Sequence, residues 1–295
     1  MKFPITGTFI DDVTYDIPSQ NWSDEQWAKD LDYMKGVGID TLILIRGGFY
    51  NRTNYVSKIF PTYRTEESDD FAGMILKKAA ERNMKVFVGM YISNLTWNDG
   101  DAETEIKQNK LFVKEIVEKY GDIPSFYGWY IPHEVGNNIL NITDIFSALS
   151  DMCKEKTPDK KVMISPFFYE LSPKESAAEW DDIFNKSGKN IDICSFQDGS
   201  FGVDLMKEYY ENIRPICKKH GIEFWQNAEA IERDLPKTGV YYPISFELLK
   251  RKIELLSPYA EKTIMFEFSH FLSPQSTYPA ARNLYARYVD YYGKK

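Results

Sequence analysis

Two glutamates follow apolar segments in a way that could support acid–base chemistry. Glu134 comes shortly after the run 126–131, and Glu229 comes directly after the run 223–228. Cleavage of a glycosidic bond needs one protonated carboxyl group as proton donor and one ionised carboxylate as nucleophile or as base for water. Apolar neighbours favour the protonated form of a carboxyl group. We therefore predict that Glu134 is the general acid/base and that Glu229 is the nucleophile.

Further polar and aromatic side chains stand at the ends of similar segments and could hold a sugar ring. Aromatic faces suit flat, partly apolar ligands, whereas amides, carboxylates and cations suit hydroxyl groups. Some have a structural interpretation as well, because Asp198 lies in an Asp-Gly turn and Glu267 must find a partner in its apolar run. The predicted substrate-binding residues are Asp11, Arg46, Tyr91, Trp97, Trp129, His133, Phe168, Gln197, Asp198, Asn227, Glu267 and His270.

A metal-dependent site is the alternative chemistry. Glu134, Asp198, Glu229 and His270 could act together as metal ligands of an isomerase or lyase. The spacings His-x-His and His-Glu-x-x-His do not occur in the sequence, so we predict no metal site. His220 ends a Lys-Lys-His-Gly segment, which is typical of a helix C-terminus.

The order of the elements predicts how these residues are brought together. Short β-branched and aromatic runs alternate with longer amphipathic runs, which is typical of parallel β/α units. The eight predicted strands are 5–11, 41–46, 85–92, 126–131, 161–167, 191–196, 223–227 and 263–268. We predict an α/β fold, a single (β/α)₈ TIM barrel over residues 1–295, whose functional residues lie at the C-terminal ends of the strands.

A helix is predicted after each strand. The first begins after Ser23, where Ser23 and Gln26 have the spacing of a capping box, and it stops at 36–38. The other predicted helices are 69–82, 102–120, 142–156, 176–185, 203–220, 245–257 and 280–292.

The amino-acid composition favours some classes of binding partner and argues against others. Of the 295 residues, 43% are hydrophobic and 27% are charged, which is ordinary for a globular protein, while the 15% aromatic content suits a sugar-binding cleft. The net charge of −8 without a basic stretch argues against nucleic acid. No stretch is apolar enough to span a membrane, and neither nucleotide-binding glycine motifs nor a Gly-x-Ser-x-Gly motif occurs, so we predict no cofactor. The three cysteines are expected to be buried free thiols.

Several matched segments resemble one family. They are the runs 5–11, 38–43, 128–134, 195–199, 227–229 and 268–270, together with Trp22 and Trp27. Over nearly the whole chain they resemble the family called domain of unknown function 4434, TIM-barrel proteins that are similar to glycoside hydrolases. The resemblance implies the barrel and a carbohydrate substrate. On these class grounds we expect a periplasmic or extracellular protein, although the chain shows no signal peptide; a cytoplasmic location and the oligomeric state stay open.

The large clan of retaining glycosidases is a broader likeness. That clan has its acid/base glutamate after strand 4 and its nucleophile after strand 7, which are the places of Glu134 and Glu229. The clan usually has Asn before the first glutamate, whereas this chain has His133. The likeness implies retention of configuration, and this departure leaves inversion open. A carbohydrate-binding barrel without catalysis is the remaining alternative.

Overall fold

The structure is a computed structural model that describes residues 3–14, 20–62, 64, 66, 69–93, 96–136, 141–233 and 241–294. Eight strands form a closed barrel in which every neighbouring pair is parallel. In their order around the barrel they are β1 (Ile5–Ile10), β13 (Lys262–Phe266), β10 (Glu223–Glu229), β9 (Ile193–Gln197), β8 (Lys161–Ile164), β7 (Phe126–Ile131), β5 (Lys85–Gly89) and β2 (Thr41–Leu44). The predicted (β/α)₈ barrel is confirmed.

Helices surround the barrel. They are α1 (Asp24–Gly36), α2 (Phe71–Glu81), α3 (Ala102–Tyr120), α4 (Ile142–Lys156), α5 (Pro173–Ser187), α6 (Val203–Lys219), α7 (Phe246–Leu256), α8 (Phe268–Phe271) and α9 (Pro279–Tyr292). Ser23 caps α1 in the predicted capping box with Gln26. A second capping box joins Ser172 to Glu175, and it starts α5 three residues before the predicted position. Among the described residues, no helix has both the length and the apolar run that crossing a membrane requires.

Two small sheets lie beyond the barrel strands. In one, β3 (Gly48–Phe49) pairs with β4 (Arg52–Thr53) and with β6 (Tyr91–Ile92). The predicted third strand, 85–92, is therefore two strands, because the chain leaves the barrel after Gly89. The other small sheet is the antiparallel pair of β11 (Ile231–Arg233) and β12 (Tyr241–Pro243), which directly follows β10.

The pleat of the strands divides the core into two parts. Side chains that point outward from the barrel pack against the helices in one large cluster. Side chains that point inward form a separate cluster of Phe9, Ile43, Ile45, Phe87, Tyr130, Met163, Ile193, Trp225 and Ile264. Because successive residues of a strand face opposite sides, a predicted site residue on a barrel strand faces either the inside of the barrel or the helices.

Candidate active site

A pocket of about 120 Å³ lies at the C-terminal end of the barrel. Its lining comes from β1, β9, β10 and β13, from the segments that follow β1, β2 and β7, and from the β11–β12 pair. The lining residues are Phe9, Asp11, Ile45, Arg46, Glu134, Gln197, Asn227, Glu229, Ile231, Tyr241 and Phe266. The structure thus brings together both predicted catalytic glutamates and four of the predicted substrate-binding residues.

Glu229 is the last residue of β10, and its partly buried side chain lies in this pocket. A Cβ atom at Gly199 would lie 1.5 Å from Oε2 of Glu229, so a side chain at this position would displace the carboxyl group. Burial raises the pKa of Glu229 to about 7, an effect that Lys252 opposes and that the negative charges of Asp198 and Glu134 reinforce. Glu134 and Glu229 line the same pocket.

A buried ion pair behind the strand fixes the backbone of Glu229. Oδ1 of Asp198 accepts hydrogen bonds from the backbone N–H of Glu229, at 3.0 Å, and from Nζ of Lys252, at 2.7 Å. Nζ of Lys252 also donates to the carbonyl oxygen of Glu229 at 2.9 Å, and Gln226 donates to Oδ2 of Asp198 at 3.1 Å. Asp198 is completely buried. It therefore positions Glu229 and does not reach the pocket, which corrects its prediction as a substrate-binding residue.

Glu134 lies in the segment after β7, about one-third exposed, opposite a cation. Nη2 of Arg46 is 3.7 Å from Oε1 of Glu134, and Nη1 of Arg46 donates to the hydroxyl of Thr14 at 2.7 Å. The guanidinium group also lies 4.9 Å from the ring centre of Phe49. Arg46 is thus held in place beside the carboxylate.

His133 anchors the residue before Glu134. Its Nε2 lies 2.8 Å from Oε1 of Glu105, a fully buried carboxylate of α3, and its ring packs edge-on against Trp97. Glu105 also accepts hydrogen bonds from the backbone of Ser93 and from Asn109. His133 and Trp97 do not line the pocket, so their predicted contacts with substrate are corrected to a supporting place behind Glu134.

Three polar atoms of pocket-lining residues are buried and have no hydrogen-bond partner among the described residues. They are Oδ2 of Asp11, Oδ1 of Asn227 and Nε of Arg46. The other oxygen of Asp11 accepts from the backbone N–H groups of Val13 and Thr14, at 3.1 and 3.0 Å, which fixes the carboxylate. Buried polar atoms are nearly always paired in proteins, so these atoms indicate a polar ligand.

Three aromatic residues that were predicted to contact substrate are buried outside the pocket. Trp129 points outward from β7, is fully buried, and donates its indole N–H to Thr157 at 2.8 Å. Phe168 is stacked between Phe196 and Tyr209, with 4.5 Å between ring centres in each pair. Tyr91 is buried beside α3, and its hydroxyl donates to the carbonyl oxygen of Tyr50. All three stabilise the layer between sheet and helices.

Glu267 and His270, which follow β13, are hydrogen-bonded to each other. Glu267 is completely buried and accepts hydrogen bonds from the backbone N–H of His270, at 2.8 Å, and from its Nδ1. It therefore caps α8 rather than lining the pocket, and the predicted substrate contacts of both residues are corrected.

The alternative metal set does not come together. Asp198 is bound to Lys252 and His270 to Glu267, whereas Glu134 and Glu229 face the pocket. Within the described ranges, no group of three His, Cys, Asp or Glu residues is placed to hold a metal ion.

The sequence analysis did not predict the buried lysine that helps to hold Glu229, or part of the pocket wall. Lys252 stands in the buried stripe of α7 with Leu249 and Leu256, and a charged residue in an apolar stripe was a signal that it has a buried partner. Ile231 and Tyr241 form a wall of the pocket, but they belong to short strands that no periodicity predicted.

Known structures with the same fold include proteins named as glycosidases. A "putative alpha-L-fucosidase" from Bacteroides thetaiotaomicron VPI-5482 is 35% identical over 100% of this chain and 96% of that one, with a TM-score of 0.93. A beta-glucuronidase from an uncultured Clostridium sp. (13% identity, TM-score 0.59) covers 97% of this chain, which spans 50% of that enzyme. The intracellular xylanase TsXylA of Thermoanaerobacterium saccharolyticum (14% identity, TM-score 0.55) covers 90% of this chain and 85% of its own. At such low identity, the last two show the fold alone.

The sequence itself gives the family. No curated protein matches the chain. The family described as "Domain of unknown function (DUF4434)" matches residues 5–278, and the chain belongs to this family of glycoside hydrolase-like barrels.

Proposed function

We propose that this protein is a glycoside hydrolase that uses Glu134 and Glu229. The observation that carries the proposal is the shared pocket. Two carboxyl groups from opposite sides of the barrel mouth line it, together with buried polar atoms that have no partner among the described residues. Glycosidases need such a pair, one group to protonate the leaving oxygen and one to attack the sugar or to activate water. A carbohydrate-binding barrel without catalysis would not need two glutamates in the same pocket.

The strand positions assign the roles in this proposal. Glu134, in the more open position after β7, protonates the leaving oxygen, and Glu229, at the end of β10, attacks the anomeric carbon. Water then releases the sugar with Glu134 as base, which retains the configuration. Burial keeps a proton on Glu229 up to about pH 7 in the free protein, so the nucleophile is ionised only above that pH. With the opposite assignment, Glu229 would be the proton donor and would act below about pH 7.

The substrate class follows from the pocket and from the relative. Acceptors that have no partner among the described residues suit sugar hydroxyls, and the 35%-identical Bacteroides protein is described as a "putative alpha-L-fucosidase", so α-L-fucosides are the first substrates to test. A wider panel of aryl glycosides should include β-D-glucuronides and β-D-xylosides.

The decisive experiment compares wild type with Glu134→Gln and Glu229→Gln on this panel. Loss of a catalytic carboxyl group is expected to lower kcat/KM by about a hundredfold or more. Glu232→Gln is the matched control, because Glu232 is exposed and does not line the pocket. Nuclear magnetic resonance of the first-formed anomer distinguishes retention from inversion. If wild type releases no sugar from any glycan, the proposal is wrong.

A further inference from the structure

The size of the pocket limits what it can hold. A buried water needs about 10–15 Å³ of such volume, so roughly ten ligand atoms fit into 120 Å³. A single pyranose ring with its hydroxyl groups has about this number of non-hydrogen atoms. The pocket therefore has room for one sugar residue.

The described residues bound the pocket from below and on one side. Phe9, Ile45 and Phe266 lie against the inward-facing cluster of the barrel and form an apolar floor. Ile231 and Tyr241 stand on one side. A cleft that cuts within a polysaccharide needs open ends for both parts of the chain, whereas this pocket holds one residue against a closed floor.

The unpaired atoms match a terminal sugar. Asp11 offers Oδ2 from the end of β1, and Asn227 offers Oδ1 from β10, next to Glu229. Arg46 offers the N–H of Nε from the segment after β2. A terminal residue keeps all its hydroxyl groups except the linked anomeric one, so it can satisfy such acceptors on separate sides. A residue within a chain has lost one hydroxyl to the next linkage.

We propose that the pocket is exo-acting: it binds one terminal sugar residue whose hydroxyls donate to Asp11 and Asn227, and it releases that residue as a monosaccharide. This inference rests on the proposed function. The balance of the reaction is that of hydrolysis, in which water adds across the glycosidic bond, the sugar takes the hydroxyl group and the leaving oxygen takes the proton.

Two measurements test the proposal. The first follows cleavage of oligosaccharides labelled with aminobenzamide at the reducing end, with L-fucose, D-galactose, D-xylose or D-glucuronic acid at the other end. We expect a free monosaccharide as the first product, with the label on a chain that is one residue shorter. Internal fragments would overturn exo action and leave the proposed hydrolase intact.

The second measures binding without cleavage, by calorimetric titration of Glu134→Gln with a monosaccharide and with the matching trisaccharide. Dissociation constants within about threefold of each other are expected, because only one residue is held. An affinity that rises about tenfold or more with chain length would overturn the one-residue pocket. Binding of a monosaccharide without hydrolysis by wild type would overturn the hydrolase and keep the one-residue site; the absence of both would overturn both.

Asp11 provides the matched variant. Asp11→Asn replaces the unpaired acceptor by a donor, and we expect KM for the para-nitrophenyl glycoside to rise by about tenfold or more, with a smaller change in kcat. Asp24→Asn is the control, because Asp24 is exposed at the start of α1 and outside this pocket. An unchanged KM in folded Asp11→Asn would contradict the assigned hydroxyl contact.

Discussion

Nζ of Lys252 lies 2.7 Å from Oδ1 of Asp198, in a buried ion pair that holds the backbone of Glu229 from behind. Removal of one partner leaves an uncompensated buried charge. Lys252→Met is expected to lower the free energy of unfolding by about 3–5 kcal/mol, measured by urea denaturation. Lys218→Met is the control, since Lys218 is exposed on α6, and it should change stability by about 0.5 kcal/mol at most.

The double variant Lys252→Met/Asp198→Asn separates charge from packing. It removes both charges, so it should recover part of the stability that Lys252→Met loses. If Asp198→Asn lowers the free energy of unfolding as much in Lys252→Met as it does in wild type, the two residues do not act as a pair.

Gly199→Ala tests the space that Glu229 occupies. The added methyl group would lie 1.5 Å from Oε2, so the carboxyl group must move while the fold can be kept. We expect kcat to fall by about a hundredfold, because misplacement of a reacting group by an ångström has effects of this size. Gly202→Ala meets no atom within 4 Å and should retain wild-type kcat. Equal activity of the two variants would contradict the proposed place of Glu229 in the reaction.

The pH profile of kcat/KM tests the role of Glu229. Its pKa is raised from 4.5 to about 7, chiefly by burial, and a nucleophile acts only when ionised. Activity should therefore rise with pH, with a midpoint at about pH 7, and Glu232→Gln should leave the midpoint unchanged. A fall in activity through about pH 7 would instead identify Glu229 as the proton donor and exchange the two roles.

Asp30 should make stability depend on pH. It is completely buried on α1, where it accepts hydrogen bonds from the hydroxyls of Ser269 and Ser273, and burial raises its pKa from 3.8 to about 7. The folded state therefore holds this proton more tightly than the unfolded state. The resulting stabilisation is complete below about pH 4 and is lost as the pH rises to about 7, an effect on the order of 4 kcal/mol.

Asp30→Asn removes the titrating carboxyl group, so its proton no longer contributes to the pH dependence of the free energy of unfolding. Between about pH 5 and pH 8, its free energy of unfolding should decline less than that of wild type, measured by urea denaturation at each pH. Asp32→Asn is the control on the same helix: its hydrogen bond with Arg82 lowers the pKa of Asp32, so this exposed group stays ionised over the whole interval. Parallel declines for Asp30→Asn and wild type would refute the assignment.

The barrel could be predicted from sequence because its signals are local and repeat. Each β-branched run is followed by an amphipathic run, and caps such as Ser23 mark where helices begin. The ends of the strands were harder to predict. The last residues of a strand-like segment are apolar both where they belong to a barrel strand and where the chain has already left the barrel. The run 85–92 shows this: its last two residues pair with β3 instead.

The sequence analysis found those pocket residues whose location follows from their position at the end of a strand. Asp11, Arg46, Glu134, Gln197, Asn227 and Glu229 stand at strand ends and line one pocket. Trp129 lies outside the pocket because it packs against the helices, and a shift of one residue along a strand changes the face. Asp198 does not line the pocket because Lys252, 54 residues away, binds it, and only tertiary packing brings this pair together. Glu267 is bound by His270, three residues further on, so the spacing of this pair was a local signal that the sequence analysis did not use.

The described residues give the pocket an apolar floor, so in the proposed hydrolase substrate enters and product leaves on the side away from that floor. A sugar released against Phe9, Ile45 and Phe266 can depart only past the place that the next substrate enters. The leaving group, nearer to solvent, departs first and the monosaccharide last. In a hydrolase built in this way, free sugar competes directly with substrate, so product inhibition would limit turnover wherever the released sugar accumulates.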